Sequence, residues 1–204
     1  MNPEEAPYLT IESPCEGLFK AKGSKHFGYV FPIDDVNQVK DRLEELRLLH
    51  PSARHHAFAY RLGNQGENWR ANDDGEPNNS AGPPILGALR SHNLTHCMGV
   101  VVRYFGGTKL GVGGLIEAYR EATNEAIAQG AIVERHPIVS MTVVFPYNQL
   151  GPVMSLLKRQ QLTPFNPDFQ LTCTMRIEMR KSVVQAFLKA LLVIPGVRLL
   201  PQDI

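Results

Sequence analysis

The chain has little of what would mark a secreted, membrane-spanning or nucleic-acid-coating protein. Its three cysteines, Cys15, Cys97 and Cys173, are far apart and form no C-x-x-C pair. An odd number at such spacings supports neither a disulfide framework nor a zinc knuckle, and a reducing compartment is expected. No apolar run reaches transmembrane length. The longest, at residues 188–194, is interrupted by Lys189 and followed by Pro195. The stretch Met1-Asn2-Pro3-Glu4-Glu5 is acidic and without an apolar segment, so no signal peptide is expected and the protein reads as cytoplasmic. An excess of one charge is missing too. With 21 Lys and Arg against 20 Asp and Glu, the whole chain is not basic enough for binding by phosphate neutralisation alone, which leaves room only for a local basic patch.

What is present suits a globular protein. At 204 residues, 43% hydrophobic and 20% charged, the chain can bury one large core or two small ones. Residues 8–11, 17–20 and 27–31 read as strands. Asp34 then caps a helix reaching about His50, its stripe formed by Val36, Val39, Leu43, Leu46 and Leu49. Residues 55–60 alternate as a strand, His55 on one face and His56 on the other. Residues 63–84, rich in Gly, Asn, Asp, Ser and Pro, are expected to form a long loop with neither helix nor central strand, followed by a short helix at 85–90. Residues 98–105 form an apolar run typical of a strand covered on both faces. A glycine-rich segment and a helix from Leu115 to Gln129 follow, closed by Gly130. From His136 the pattern starts afresh, and its β-α-β-β-α-β order over about 70 residues is the ferredoxin-like split pattern. The expectation is an α+β protein of two domains, residues 1–135 and 136–204.

The segment Gly106-Gly107-Thr108-Lys109-Leu110-Gly111-Val112-Gly113-Gly114 is the clearest local signal. A strand, a glycine loop and a helix start expose several N–H groups beside the positive helix end, which suits phosphate or carboxylate, with Lys109 as a point charge. Tight packing of loop on sheet is the alternative. The segment is neither a Walker A loop nor a dinucleotide fingerprint, since Ile116 stands where the latter needs its third glycine. A second constellation sets His55 and His56 beside Asp73, Asp74 and Glu76. Imidazoles and carboxylates can ligate a metal or exchange protons, but adjacent strand residues point apart, and Asp-Asp-Gly-Glu-Pro is also ordinary turn chemistry. No nucleophile is legible, no catalytic residue is assigned, and the sequence calls for no metal and no cofactor. Trp69 reads equally as an exposed contact aromatic and as a lid over a small core. Lys158, Arg159, Arg176, Arg180, Lys181 and Lys189 give the C-terminal region a basic flavour.

Several ordered motifs carry a resemblance: Lys22-Gly23-Ser24-Lys25-His26-Phe27, Ala53-Arg54-His55-His56, Asp73-Asp74-Gly75-Glu76-Pro77, and Ala81-Gly82-Pro83-Pro84. To these are added residues 100–107, 110–115 and the pair Ala118-Tyr119. By these the chain resembles the YigZ/IMPACT family along essentially its whole length. Asn72 stands where the family usually has Ser, and Ser80 where it has Thr. The resemblance implies a ribosomal-protein-S5 domain-2-like N-terminal fold and a ferredoxin-like C-terminal domain similar to the late domains of elongation factor G. It implies a translation-associated binding protein contacting ribosome, RNA or a translation-related protein. An enzyme acting on a phosphorylated or nucleotide ligand, and an adaptor that binds no RNA, remain the alternatives. The expected binding residues are His55, His56, Asp73, Asp74, Glu76, Arg103, Gly106, Gly107, Lys109, Gly111, Gly113 and Gly114, and no membrane partner is expected.

Overall fold

Alternation along one strand organises the N-terminal half. Met98, Val100 and Val102 point into one core and Val101 into another, so the continuous apolar run between them is a strand covered on both sides. The structure, a computed structural model, describes residues 5–200. All of the expected N-terminal acidic stretch except Glu5 lies outside those residues. The chain is a mixed α/β protein whose backbone contacts separate a unit of Pro7–Arg135 from a second made chiefly of the residues from His136 onward.

In the first unit the elements run β1 (Tyr8–Ile11), β2 (Cys15–Ala21), β3 (Ser24–Pro32), α1 (Val36–Leu49), β4 (His55–Leu62), β5 (Asn68–Asn72), α2 (Gly82–Ser91), β6 (Cys97–Tyr104), α3 (Gly111–Gln129) and β7 (Ile132–Arg135). Five strands form one antiparallel sheet in the order β2-β3-β6-β4-β5, and β1 pairs with β7 apart from it. Helix α1 covers one face with Val39, Leu43 and Leu46 against Tyr29, Phe31, Tyr60 and Met98. Helices α2 and α3 cover the other, where Ile85, Leu86, Leu115 and Tyr119 meet Ala57, Ala59 and Val101. Gly17 and Gly28 are cross-strand partners under α3. A Cβ on Gly28 would lie 2.0 Å from the Ala122 carbonyl oxygen, and one on Gly17 2.4 Å from the Ala126 amide nitrogen. Glycine is required there by the approach of the helix, not by backbone angle.

The second unit runs β8 (Ile138–Pro146), a 3-10 turn (Tyr147–Gln149), α4 (Leu150–Arg159), β9 (Pro164–Phe169), β10 (Thr172–Arg180), α5 (Lys181–Leu191) and β11 (Arg198–Leu200). Its sheet order is β11-β8-β10-β9, all antiparallel. Met141, Val143, Phe145, Met175 and Ile177 bury one face under Val153, Leu156, Phe187 and Leu191 of the two helices.

The structure departs from the sequence expectations at several places. The cap of α1 is Asp35, whose Oδ1 accepts from the Asn37 and Gln38 amides, not Asp34. The long loop expected at 63–84 contains the edge strand β5, and α2 begins at Gly82 with prolines in its first turn. Pairing with β4 overrides a composition that reads as loop. Helix α3 begins at Gly111 rather than Leu115, so half of the expected glycine loop is helix. Gly130 is extended rather than left-handed; a Cβ there would strike Ile11 and Cys15. Strand β7 was not foreseen, because its partner β1 is about 120 residues away and no local pattern reveals it.

Candidate functional site

Register builds the site. Arg103 on β6 is the cross-strand partner of both His26 on β3 and His55 on β4, so the three side chains form a row on the α2/α3 face of the sheet. Burying a guanidinium requires a counter-charge, and Glu76 supplies it. Its Oε1 accepts from Arg103 Nη1 at 2.6 Å and from the Tyr119 hydroxyl of α3 at 2.7 Å. The Glu76 and Arg103 side chains are only 4% and 9% exposed. Burial, and next the Arg103 charge, push the His26 imidazole down to about 4 against the opposing pull of Glu76, so it is neutral at pH 7. Burial, reinforced by Glu76, raises the Tyr119 phenol well above its ordinary range, so the hydroxyl keeps the proton it donates to Glu76.

The acidic segment ahead of Glu76 is held by its own backbone. Asp73 Oδ1 accepts from the Ala81 and Gly82 amides, both at 2.9 Å, and Oδ2 from Asn79 at 2.8 Å, which ties the loop to the start of α2. Asp74 Oδ2 accepts from the His56 amide at 2.6 Å. Asn72 Oδ1 accepts from the Asp74 amide, and the Ser80 hydroxyl donates to the Pro77 carbonyl. Asn72 and Ser80 therefore make turn contacts of their own. His55 Nδ1 lies 2.8 Å from the Asp74 carbonyl. A carbonyl only accepts, so Nδ1 is the donor of that bond. His56 points to the opposite face and is 5% exposed; burial lowers its pKa against Asp74.

The glycines of the 106–114 segment serve different ends. A Cβ on Gly106 would lie 1.9 Å from the Gly23 carbonyl carbon, so Gly106 is there for packing. Gly23 itself completes, with Lys22, a two-residue hairpin loop of positive φ at both positions. Gly107 and Gly111 have φ of +88° and +74° with open space around them, and Gly113 faces open space too. These three are bare backbone rather than close packing. A Cβ on Gly114 would lie 3.2 Å from Leu110 Cβ.

A cleft of about 890 Å³ opens above this row. His55, Glu76, Arg103, Lys109 and Gly111 line it together, joined by Arg54, Tyr104 and Phe105. Asp73 and Asp74 do not line it, since their carboxylates face the backbone, nor does His56, whose side chain leaves by the other face; Gly106, Gly107, Gly113 and Gly114 flank it without lining it. Arg54 and Lys109 are exposed and form no ion pair among the described residues. Phe105 is 58% exposed, with the Arg103 guanidinium 5.6 Å from its ring centre. Tyr104 continues to a smaller aromatic pocket, where His50 bridges the Tyr29 hydroxyl at 2.7 Å and the Tyr104 hydroxyl at 2.9 Å. Among the described residues no group of three or more His, Cys, Asp and Glu is placed to hold a metal ion. Trp69 sits on edge strand β5, half-exposed, under the Arg90 guanidinium at 4.7 Å. The site reading lacks Arg54, Phe105, His26 and Tyr119. His26 and Tyr119 stand within the motifs of the resemblance, but only strand register and the return of α3 bring them to Arg103.

The residues gathered here belong to a known domain: the Impact N-terminal domain matches residues 22–127. The chain belongs to the IMPACT family. It is similar to IMPACT family member YigZ of Escherichia coli strain K12, with 31% identity over 182 residues covering 88% of this chain and 89% of that protein. It is similar to IMPACT family member YvyE of Bacillus subtilis strain 168, with 32% identity covering 76% and 71%. A crystal structure of a hypothetical protein superposes with a TM-score of 0.71 at 30% identity, covering 97% of this chain and 98% of that one. Every motif from Lys22 to Tyr119 that lines or supports the cleft lies inside the matched IMPACT domain.

Proposed function

We propose that this IMPACT-family protein is a cytoplasmic, translation-associated binding protein whose cleft engages the ribosome through its RNA. The observation that supports it is the division of charge at the cleft. The carboxylates are turned inward, Asp73 and Asp74 onto backbone amides and Glu76 onto Arg103 and Tyr119. The charged groups left facing solvent there are Arg54 and Lys109, beside the exposed Phe105. Cations beside an aromatic face suit a nucleic-acid strand, where phosphate and base are met together. Residues 136–204 carry seven Lys and Arg against three Asp and Glu, so the second unit adds to the same attraction. In this reading the first unit is ribosomal-protein-S5 domain-2-like. The second is ferredoxin-like, related to the late domains of elongation factor G, in keeping with its β-α-β-β-α-β order.

Co-sedimentation with ribosomes from a lysate, at low and raised salt, tests this. The expected result is salt-sensitive sedimentation that an Arg54→Ala and Lys109→Ala double variant loses. Asp73→Ala is unsuitable as the probe, because Asp73 holds the start of α2. Sedimentation absent at every salt concentration, or unchanged in the double variant, would overturn the proposal.

A further inference from the structure

The start of α3 is unusually bare. Its cap residue Leu110 offers no side-chain hydrogen bond, and its first turn holds no acidic residue, so the orphan N–H groups of Gly111, Val112 and Gly113 have no partner of negative charge. A helix start alone is not a site. Here a second, independent group points to one. Arg103 is 9% exposed and lines the same cleft, and Glu76 takes only its Nη1, which leaves Nη2 without a hydrogen-bond partner among the described residues. A nearly buried guanidinium held by one carboxylate normally fills its remaining donors, and one left unfilled favours an acceptor from outside. Lys109 and Arg54, both without an ion pair among the described residues, flank the opening, while Phe105, Val112 and Leu110 give it an apolar wall.

We infer that this cleft binds a nucleotide, the phosphate against the α3 start and Lys109, the base against Phe105. The combination is specific. An inorganic anion would leave the exposed aromatic and apolar wall unused, and a neutral apolar ligand would leave the helix start, Lys109 and Arg54 unmatched. The nucleotide can be free or can be the 5′-phosphorylated end of an RNA strand, since both present the same phosphate and base. The inference rests on the cleft being the binding surface of the proposed function but does not depend on the ribosome being the partner.

Val112 supplies the test, because it lines the cleft in the first turn of α3 and is 54% exposed. Glu at a helix start favours the helix, whereas it repels an anion bound there. Titration calorimetry of the full chain with adenosine 5′-monophosphate, adenosine and inorganic phosphate reads the ligand class. Val112→Glu is expected to weaken the monophosphate by about tenfold or more while leaving the melting temperature unchanged or raised, and Val112→Lys to tighten it. Lys109→Ala is expected to weaken it several-fold. Short oligoadenylates with and without a 5′ phosphate distinguish the sources: a preference for the phosphorylated strand over free monophosphate assigns the site to RNA ends, and the reverse to free nucleotide. Equal binding of adenosine and its monophosphate, binding indifferent to Val112→Glu, or no binding of any probe would overturn the inference. If ribosome sedimentation still required Arg54 and Lys109 in that case, the proposed function would survive the loss of the nucleotide.

Discussion

Replacing Glu76 with Gln should unfold the cleft's support more than it alters the cleft's surface. The carboxylate is 4% exposed and takes two short hydrogen bonds, from Arg103 Nη1 and from the Tyr119 hydroxyl. Gln keeps the shape, and its Oε1 can still accept both bonds, but it removes the charge that balances a guanidinium only 9% exposed. Breaking a buried pair from one side typically costs roughly 3–5 kcal/mol, because the surviving charge stays buried without compensation. A double variant, Glu76→Gln with Arg103→Met, removes that charge and should recover part of the loss, giving a coupling of about 2 kcal/mol or more. Urea unfolding followed by fluorescence of the single Trp69, which lies in the first unit, measures both. A loss below about 1 kcal/mol, or simple additivity in the double variant, would refute the account of Glu76 as the counter-charge of a buried row.

Acid should weaken the same unit through His26. Its folded pKa of about 4 lies below the ordinary 6.5, so both states are neutral above pH 6.5, and as pH falls from there to about 4 only the unfolded chain takes the proton. Stability drops across that window by about 1.4 kcal/mol per pH unit, roughly 3 kcal/mol in all, and a His26→Gln variant should show a shallower slope in urea midpoints. Asp73→Ala removes three amide partners at the start of α2 and should cost about 2 kcal/mol, read as a lower urea midpoint. Gly28→Ala places a methyl group 2.0 Å from the Ala122 carbonyl oxygen and should cost about 2–3 kcal/mol or more, since backbone must move; a neutral effect would mean α3 lies farther from the sheet. Thiol labelling of the native protein should leave Cys97 and Cys173, both 0% exposed, untouched until denaturation, with burial pushing the Cys97 pKa up to about 12. Cys15, half-buried with a raised pKa, should react slowly.

Local chemistry made much of this protein legible in the sequence. The apolar alternation of residues 98–104, the stripe of α1 and the β-α-β-β-α-β order each express a period of 2 or 3.6 residues that no distant contact has to supply. The turn chemistry of Asp73 and Asp74 was legible for the same reason, since an Asp side chain finds its backbone partners a few residues away. His55 and His56 parted as adjacent strand residues must.

Tertiary structure decided the rest, because those choices depend on groups far apart in the chain. Strand β5 exists because β4 offers it an edge, and β7 because β1 does. Glu76 reads as another turn acid until the fold brings Arg103, 27 residues on, and Tyr119, 43 residues on, to one oxygen. The glycines divide in the same way. Sequence shows five in nine residues, but only the packed chain tells that Gly106 makes room for Gly23 while Gly107, Gly111 and Gly113 leave bare backbone beside a cleft. Composition sets what a backbone can do, and the neighbours brought by the fold decide whether that freedom is filled by protein or left open for a partner.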